Sequence, residues 1–411
     1  MQKQKTQQSQ EQQEVDISKL ETINIIMAGH IDHGKTTLLH KLSGKWTDTH
    51  SEELKRGITI KLGYADIIIS YDIKEGYNKE GLGSAKRYVS FVDAPGHEML
   101  MATMLSGAAI VDAAILVVAA NEGIKPQTKE HLMALQAKNI KNIIVVQNKI
   151  DVVPIEMAKK NYEKIKEFLK GTIAENAAII PVSAQQGINI ERIYEEICKI
   201  KVPERNLKEN PIFLVARSFD INRPGTKPKE LHGAVLGGTL KQGLLKIDDE
   251  IEIKPGLTVK EANQIKYKAI KTKIKSLNKG SYNFKELTSG GSASIETELD
   301  MSLGKADSLS GCVVSLAGKL PEITNSLKLK YALFPEIFGV SQNTKVEPLK
   351  STEMLMLSVN TSVTVGNIKR LKDNEAEISL RIPIVPFKGN KVGIARNIKG
   401  HWRLIGYGEI I

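Results

Sequence analysis

Apolar positions follow two textures along the chain. Between Thr22 and Ile200, short continuous apolar runs alternate with stretches whose apolar residues recur every three or four positions. The runs Thr22–Ala28, Ala65–Ser70, Tyr88–Asp93, Ala113–Ala119, Asn142–Gln147 and Ala177–Val182 read as buried strands. Thr37–Ser43, Glu98–Ser106, Gln127–Ala137, Ile155–Gly171 and Asn189–Ile200 read as helices. In the fourth of these Ala158, Tyr162, Ile165 and Leu169 share one face; in the last, Ile190, Ile193, Ile197 and Ile200 do. Strands alternating with helices predict a mostly parallel sheet covered on both faces. From Pro211 the texture changes to period two, broken by Gly, Asn and Asp turns. In Leu245–Ile253 the apolar side is Leu245, Ile247, Ile251 and Ile253; in Ala376–Ile384 it is Ala376, Ile378, Leu380, Ile382 and Ile384. This predicts two β-barrels. The expected division is a disordered tail over 1–18, a first domain over 19–205, and barrels over 206–325 and 326–411.

Composition changes this picture little. Hydrophobic residues make up 41% and charged residues 26%, ordinary for a globular chain. No apolar run approaches the ~20 residues of a membrane span, so no membrane partner is expected. The start, MQKQKTQQSQEQQEV, is polar and Gln-rich and lacks the apolar stretch of a signal peptide. Cys198 and Cys312 are the only cysteines, too few for a disulfide framework or a four-thiolate zinc site. That suits a reducing, cytoplasmic setting. Net charge does add something. At +11 it points either to a polyanionic partner or to a generally Lys-rich background.

The candidate chemistry sits at strand ends. Ala28–Thr37 fits G-x-x-x-x-G-K-[ST] between a strand and a helix. Gly29, His30, Ile31, Asp32, His33 and Gly34 form a loop whose N–H groups can point inward at phosphate oxygens, and the next helix adds its positive end. Lys35 can bridge the β- and γ-phosphates, Thr36 can ligate Mg²⁺, and Thr37 opens the helix. Asp93-Ala94-Pro95-Gly96-His97 ends the third strand. There Asp93 can hold Mg²⁺ through water and the Gly96 N–H can sense a γ-phosphate. Asn148-Lys149-Ile150-Asp151 ends the fifth. Asp151 can accept both the N1–H and the exocyclic amine of guanine, a pair adenine lacks. Asn148 can reach the base edge and orient the loops, and the Lys149 stem covers the ring. Ser183-Ala184-Gln185 can complete the base pocket through the Ala184 N–H. In Arg56–Ile60, Thr59 is either the second hydroxyl on Mg²⁺, ordered only while γ-phosphate holds the loop, or the first residue of a strand. His97 either orients an attacking water or packs beneath the loop. No arginine is placed in cis as a finger, which predicts slow intrinsic turnover.

Gly29–Thr37 with Asp93–His97 and two β modules resembles the translational GTPases of the elongation-factor Tu class: an α/β P-loop G domain followed by two β-barrels. RGITIKLGYAD (Arg56–Asp66), HEMLMATMLSGAAIVDAAILVVAANE (His97–Glu122), PQTKEHL (Pro126–Leu132), RSFDINRPGT (Arg217–Thr226) and HWRLIGYG (His401–Gly408) resemble the gamma subunits of archaeal and eukaryotic translation initiation factor 2. The Asp32 and Thr36 forms look archaeal. The resemblance implies a GTPase cycling between GTP and GDP with Mg²⁺. It implies a heterotrimer with alpha and beta subunits that delivers methionylated initiator tRNA to the small ribosomal subunit. A carrier of elongator or selenocysteine tRNA is the alternative, and a nucleotide-locked scaffold a further one. By the same resemblance Asp32 and the Gly57 carbonyl hold a second Mg²⁺, or Asp32 is an unpaired loop carboxylate. Tyr64 stacks on the terminal base of the tRNA or is simply a strand residue. Many members carry a four-cysteine zinc knuckle where this chain has Tyr71–Arg87, without cysteine. That stretch reads as a flexible loop without zinc.

Overall fold

A computed structural model describes residues 15–47, 59–97, 100–261, 264–337 and 344–411. The first sheet holds β1 (Glu21–Gly29), β2 (Gly63–Asp72), β3 (Gly76–Asn78), β4 (Ser84–Asp93), β5 (Ala113–Ala119), β6 (Asn142–Asn148) and β7 (Ile179–Pro181). Their order is β3-β2-β4-β1-β5-β6-β7. β4, β1, β5, β6 and β7 run parallel, while β2 joins β4 and β3 joins β2 antiparallel. The helices are α1 (Lys35–Ser43), α2 (Met101–Ala108), α3 (Pro126–Ala137), α4 (Ile155–Leu169) and α5 (Ile190–Lys199). The apolar strand runs have a simple cause. Ile23, Ile25 and Met27 of β1 pack with Leu38, Leu39 and Leu42 of α1 and Ile193 and Ile197 of α5. Ile26 and Ala28 pack on the other face with Met104, Leu105, Leu132 and Ile165. Both faces of the central strands are therefore buried, and the alternation of an exposed strand is lost.

The Tyr71–Arg87 stretch is not a loop. β2 runs on to Asp72 and turns back through β3 into β4 as an antiparallel ribbon. Tyr77 packs on the cluster that contains Ile197, beside Cys198. The Asn78 side chain takes the Leu82 N–H at 3.1 Å and donates to the Leu82 carbonyl at 3.1 Å. Most of the expected tail lies outside the described residues. Ile17, within 1–18, is buried in a 3-10 turn, Ile17–Lys19.

The second part contains β8 (Ile212–Phe219), β9 (Val235–Gln242), β10 (Leu244–Lys246), β11 (Glu250–Glu261), β12 (Gln264–Lys279), β13 (Tyr282–Phe284), β14 (Glu286–Thr288), β15 (Ser292–Thr297) and β16 (Val313–Leu316). Six of these close in the order β11-β16-β8-β9-β15-β12, with β12 pairing back to β11. The single strand expected over Leu245–Ile253 is two. Asp248 takes a left-handed turn (φ 69°), the Lys246 N–H caps onto Asp249 Oδ2 at 2.7 Å, and Ile247 is exposed. The last part contains β17 (Thr324–Leu333), β18 (Glu336–Ile337), β19 (Thr344–Lys345), β20 (Met354–Val359), β21 (Ser362–Lys372), β22 (Glu375–Ile384), β23 (Lys391–Ile398) and β24 (His401–Ile410). It closes as β17-β22-β21-β20-β23-β24. In β22 Ala376, Ile378, Leu380 and Ile384 face the core as expected, but Ile382 is exposed. The Thr364 hydroxyl bonds both the N–H and the carbonyl of Ile382 at 3.1 Å. The β21–β22 ladder ends at Gly366–Leu380, so these side-chain bonds stand where the next backbone pair would be.

Candidate functional site: a cleft at the strand ends of the first sheet

Gly29 ends β1 with φ 132°, and a Cβ there would lie 2.4 Å from the Val117 carbonyl oxygen. Only glycine fits that approach. Gly34 caps α1 in the left-handed region (φ 85°), and the first helical bond runs from Leu38 N to Gly34 O. The positive end of α1 thus opens at the loop. Lys35 is nearly buried, and its Nζ donates to the His30 carbonyl at 2.8 Å. A Cβ on Gly96 would stand 2.4 Å from that Nζ and 2.8 Å from Ile31 N. The turn after β4 therefore lies directly against the loop after β1.

Thr36 Oγ1 lies 3.2 Å from Thr59 Oγ1 and donates to Asp93 Oδ2 at 2.9 Å. Adjacent ligand oxygens of an octahedral Mg²⁺ at 2.0–2.1 Å are about 3 Å apart. The two hydroxyls have the spacing of neighbouring ligands of that ion, and the Asp93 carboxylate stands behind them, where it can reach the ion through water. Asp93 Oδ2 also accepts from Thr47 Oγ1 at 2.8 Å. Ile31, Asp32, Gly34, Lys35, Thr36, Thr37, Thr59, Gly96, His97 and Lys149 line one cleft of about 400 Å³ with Trp46.

Of the residues expected to frame a base, Asn148 joins two loops. Its Nδ2 donates to the His33 carbonyl at 3.0 Å, and its Oδ1 accepts the Ala184 N–H at 3.1 Å. Lys149 is left-handed (φ 63°), with Nζ 3.9 Å from Glu122 Oε1. Asp151 is exposed on a short turn, Ile150–Val152. Ser183 is buried and caps Gln186 N at 3.1 Å, while Gln185 is exposed. Asp32 is exposed with φ 61°. Gly57 and its neighbours Arg56 and Ile58 lie outside the described residues. Tyr64 lies in β2, one residue beyond the Gly63–Asp93 pair, and does not line the cleft. Its hydroxyl is buried without a hydrogen-bond partner, and burial pushes its pKa above the usual range.

The profile of the Elongation factor Tu GTP binding domain matches residues 20–203, and that of the Initiation factor eIF2 gamma C-terminal domain matches residues 325–410. The chain is 50% identical over 402 residues to translation initiation factor 2 subunit gamma of Methanococcus maripaludis, covering 95% of this chain and 98% of that one. It belongs to the gamma-subunit family of translation initiation factor 2. The Pyrococcus abyssi gamma subunit is 49% identical, with coverages of 96% and 98%, and that of Aeropyrum pernix is 48% identical, with 94% and 97%. The chain is a translation initiation GTPase. Among solved structures, the bacterial selenocysteine-specific elongation factor EF-Sec aligns with a TM-score of 0.74 at 25% identity. The alignment covers 95% of this chain but 58% of EF-Sec, so the chain spans under two thirds of that factor. Elongation factor SelB of Methanococcus maripaludis aligns at 0.71 and 23% identity, covering 95% of this chain and 79% of SelB, and shares the fold.

Two site residues of this gamma-family chain escaped the sequence reading. Thr47 shares Asp93 with Thr36. His131 of α3 is fully buried, and its Nδ1 accepts the Gly29 N–H at 2.9 Å. Burial holds both His131 and His33 at pKa about 3, so both are neutral at physiological pH. His131 falls inside the PQTKEHL match, which was the only available pointer to it.

Proposed function

We propose that the chain binds GTP with Mg²⁺ and carries methionylated initiator tRNA to the small ribosomal subunit, as the gamma member of a heterotrimer with alpha and beta subunits. Hydrolysis to GDP on start-site selection then releases it. The observation that carries the nucleotide reading is the convergence of Thr36, Thr59 and Asp93 beside Lys35 and Gly96. In this reading Gly29–Thr37 wraps the phosphates, Lys35 neutralises the β- and γ-oxygens, and the Gly96 N–H donates to the γ-phosphate. Thr36, Thr59 and Asp93 would hold Mg²⁺, which supplies charge compensation across the β- and γ-phosphates. Asp151 selects guanine, with Asn148, Lys149 and Ser183–Gln185 framing the base. The Asn148 brace supports this, because it ties the phosphate loop to the Ala184 loop before either meets a ligand. Asp32 and Gly57 are proposed for a second Mg²⁺. Tyr64 is proposed for the terminal tRNA base, with its ring rather than its buried hydroxyl as the contact.

His97 is the catalytic residue of this reading, orienting water towards the γ-phosphate. It lines the same cleft as Lys35 and Gly96. A His97→Ala variant should keep GTP affinity within about threefold and lose ribosome-stimulated hydrolysis by 10²-fold or more. Unchanged single-turnover hydrolysis would remove His97 from this role. The carrier reading is supported by the likeness to gamma subunits of translation initiation factor 2 and by the +11 charge. Filter binding of initiator Met-tRNA, elongator Met-tRNA and selenocysteine tRNA, each with GTP and with GDP and with and without alpha subunit, tests it. Preference for the initiator species in the GTP state supports it. Equal binding of elongator Met-tRNA, or preference for selenocysteine tRNA, would overturn it.

A further inference from the structure

The segment that follows Thr59 is bolted to the first barrel by one carboxylate. Lys61 Nζ lies 2.7 Å from Asp307 Oδ2. Asp307 Oδ1 accepts Arg217 Nε at 2.8 Å and the Ser218 N–H at 3.2 Å. Arg217 closes the loop by donating NH1 to the Leu62 carbonyl at 2.9 Å. A side chain and a backbone carbonyl, two and three residues beyond Thr59, are thus both held by barrel residues. The barrel commits structure to this contact. Ala306 and Asp307 are consecutive non-glycine residues with φ of 54° and 59°, a conformation that persists only where the surroundings fix it. Lys61, Leu62, Arg217 and Asp307 also line a cleft of about 410 Å³ between the three parts of the chain.

We propose that Asp307, through Lys61 and Arg217, is a positioning residue for Thr59 and so sets the preference for GTP over GDP. The proposal rests on the Mg²⁺ role given to Thr59 above. Thr59 has its oxygen next to Thr36 only while its segment stays down. Pinning Lys61 and Leu62 shortens the stretch that must be ordered for that, so less conformational entropy is lost when a γ-phosphate engages it. GDP has no γ-phosphate and gains nothing from the clamp. Linkage runs both ways. Any ligand that tightens β8 or the 301–307 turn raises GTP affinity by the factor by which GTP raises that ligand's own. Barrel and phosphate cleft then communicate through three side chains.

The test measures affinity for fluorescent GDP and for a non-hydrolysable GTP analogue, each across a Mg²⁺ titration, on the full chain and on folded variants. Lys61→Met removes one of the two cations that cross between the domains and leaves Arg217 bonded to Asp307 and Leu62, and Ser218 to Asp307. It should keep GDP affinity within twofold, weaken the analogue about five- to tenfold (about 1.0–1.4 kcal/mol) and raise the Mg²⁺ needed for half-saturation. Lys61→Arg should restore the analogue, and Asp307→Asn should behave like Lys61→Met. Equal weakening of both nucleotides, or an unchanged analogue affinity, would overturn the clamp alone. A wild-type chain that bound no GTP analogue would overturn the nucleotide reading and the clamp with it.

Discussion

The two barrels hold the GTPase domain by different means. The first grips the frame of the sheet. Asn24, buried in β1, donates from Nδ2 to Thr239 Oγ1 at 2.8 Å, and Ser90 Oγ in β4 accepts the Ser292 N–H at 3.0 Å. Arg205, in the connection between the domains, reaches Asp112 at 2.7 Å. Outside the frame this barrel also holds the segment after Thr59, through the Lys61–Asp307 pair and the Arg217–Leu62 bond, and its Leu214, Ala216 and Val313 join the core beside Met104. The second barrel grips helices. Ser106 at the end of α2 donates to the Thr361 carbonyl at 2.9 Å, and Lys138 after α3 donates to Ser358 O at 2.9 Å. Glu130 of α3 pairs with Arg403 of β24 at 3.3 Å, with side chains 0% and 6% exposed. Around them the apolar core runs on from Met104 and Leu132 into Phe334, Val385 and Leu404 of that barrel. Strands in a packed sheet have little freedom to shift, whereas helices on its surface slide. The first barrel is therefore anchored to what stays still, plus the Lys61–Leu62 segment that follows Thr59. The second is anchored to two helices, one of which follows His97 in the chain.

The largest effect tests the buried pair. Removing one member leaves a charge in an apolar interface, at a cost of about 3–5 kcal/mol, whereas replacing both by apolar groups is near neutral. Urea unfolding of Glu130→Ala should show that loss, while the double variant Glu130→Leu with Arg403→Met should stay within about 2 kcal/mol of wild type. A single variant as stable as the double would mean that the helices, not the ion pair, hold this barrel. Next comes pH. His131 adjoins Glu130 on α3, and it and His33 have pKa about 3 when folded against 6.5 unfolded. Below pH 6.5 the unfolded chain takes up protons that the folded chain refuses. Stability therefore falls as pH drops, by about 1.4 kcal/mol per unit per histidine, and levels off near pH 3. Urea midpoints at pH 7.5, 6 and 5 should show this slope, and His131→Asn should halve it. For the first barrel, Asn24→Ala should cost about 1–3 kcal/mol, because the buried Ile110 carbonyl loses its 2.8 Å donor along with Thr239. A smaller loss than for Glu130→Ala keeps the contrast between the two barrels; an equal one erases it. The smallest effect is at the surface. Lys391→Met severs the half-exposed Lys391–Glu409 pair and should change stability by under about 1 kcal/mol.

The sequence was most legible where local chemistry dictated structure. Ala113–Ala119 is apolar throughout because both its faces are covered, and the strand has those bounds. Gly29 and Gly34 announced a backbone that other residues resist, and both have positive φ. Legibility failed where a distant partner decides. Tyr71–Arg87 is Gly- and Lys-rich and polar, yet it folds because Tyr77 finds the α5 side of the sheet. Ile382 keeps the period of its strand but loses its core position to a threonine on the neighbouring strand. The site divides the same way. Each loop was visible as a motif, but Thr47 meets Asp93 across 46 residues and His131 meets Gly29 across 102. Neither spacing leaves a local pattern.

Lys35 already has a partner inside its own loop, the His30 carbonyl. A phosphate that takes this ammonium therefore swaps one acceptor for another, and part of the gain is spent breaking the internal bond. The swap also runs in reverse. As a diphosphate leaves, the carbonyl reclaims the charge, so the ammonium is never stranded in a nearly dry pocket. In the proposed reading this competition lowers the net affinity for either nucleotide, and it stabilises the empty loop by the same amount.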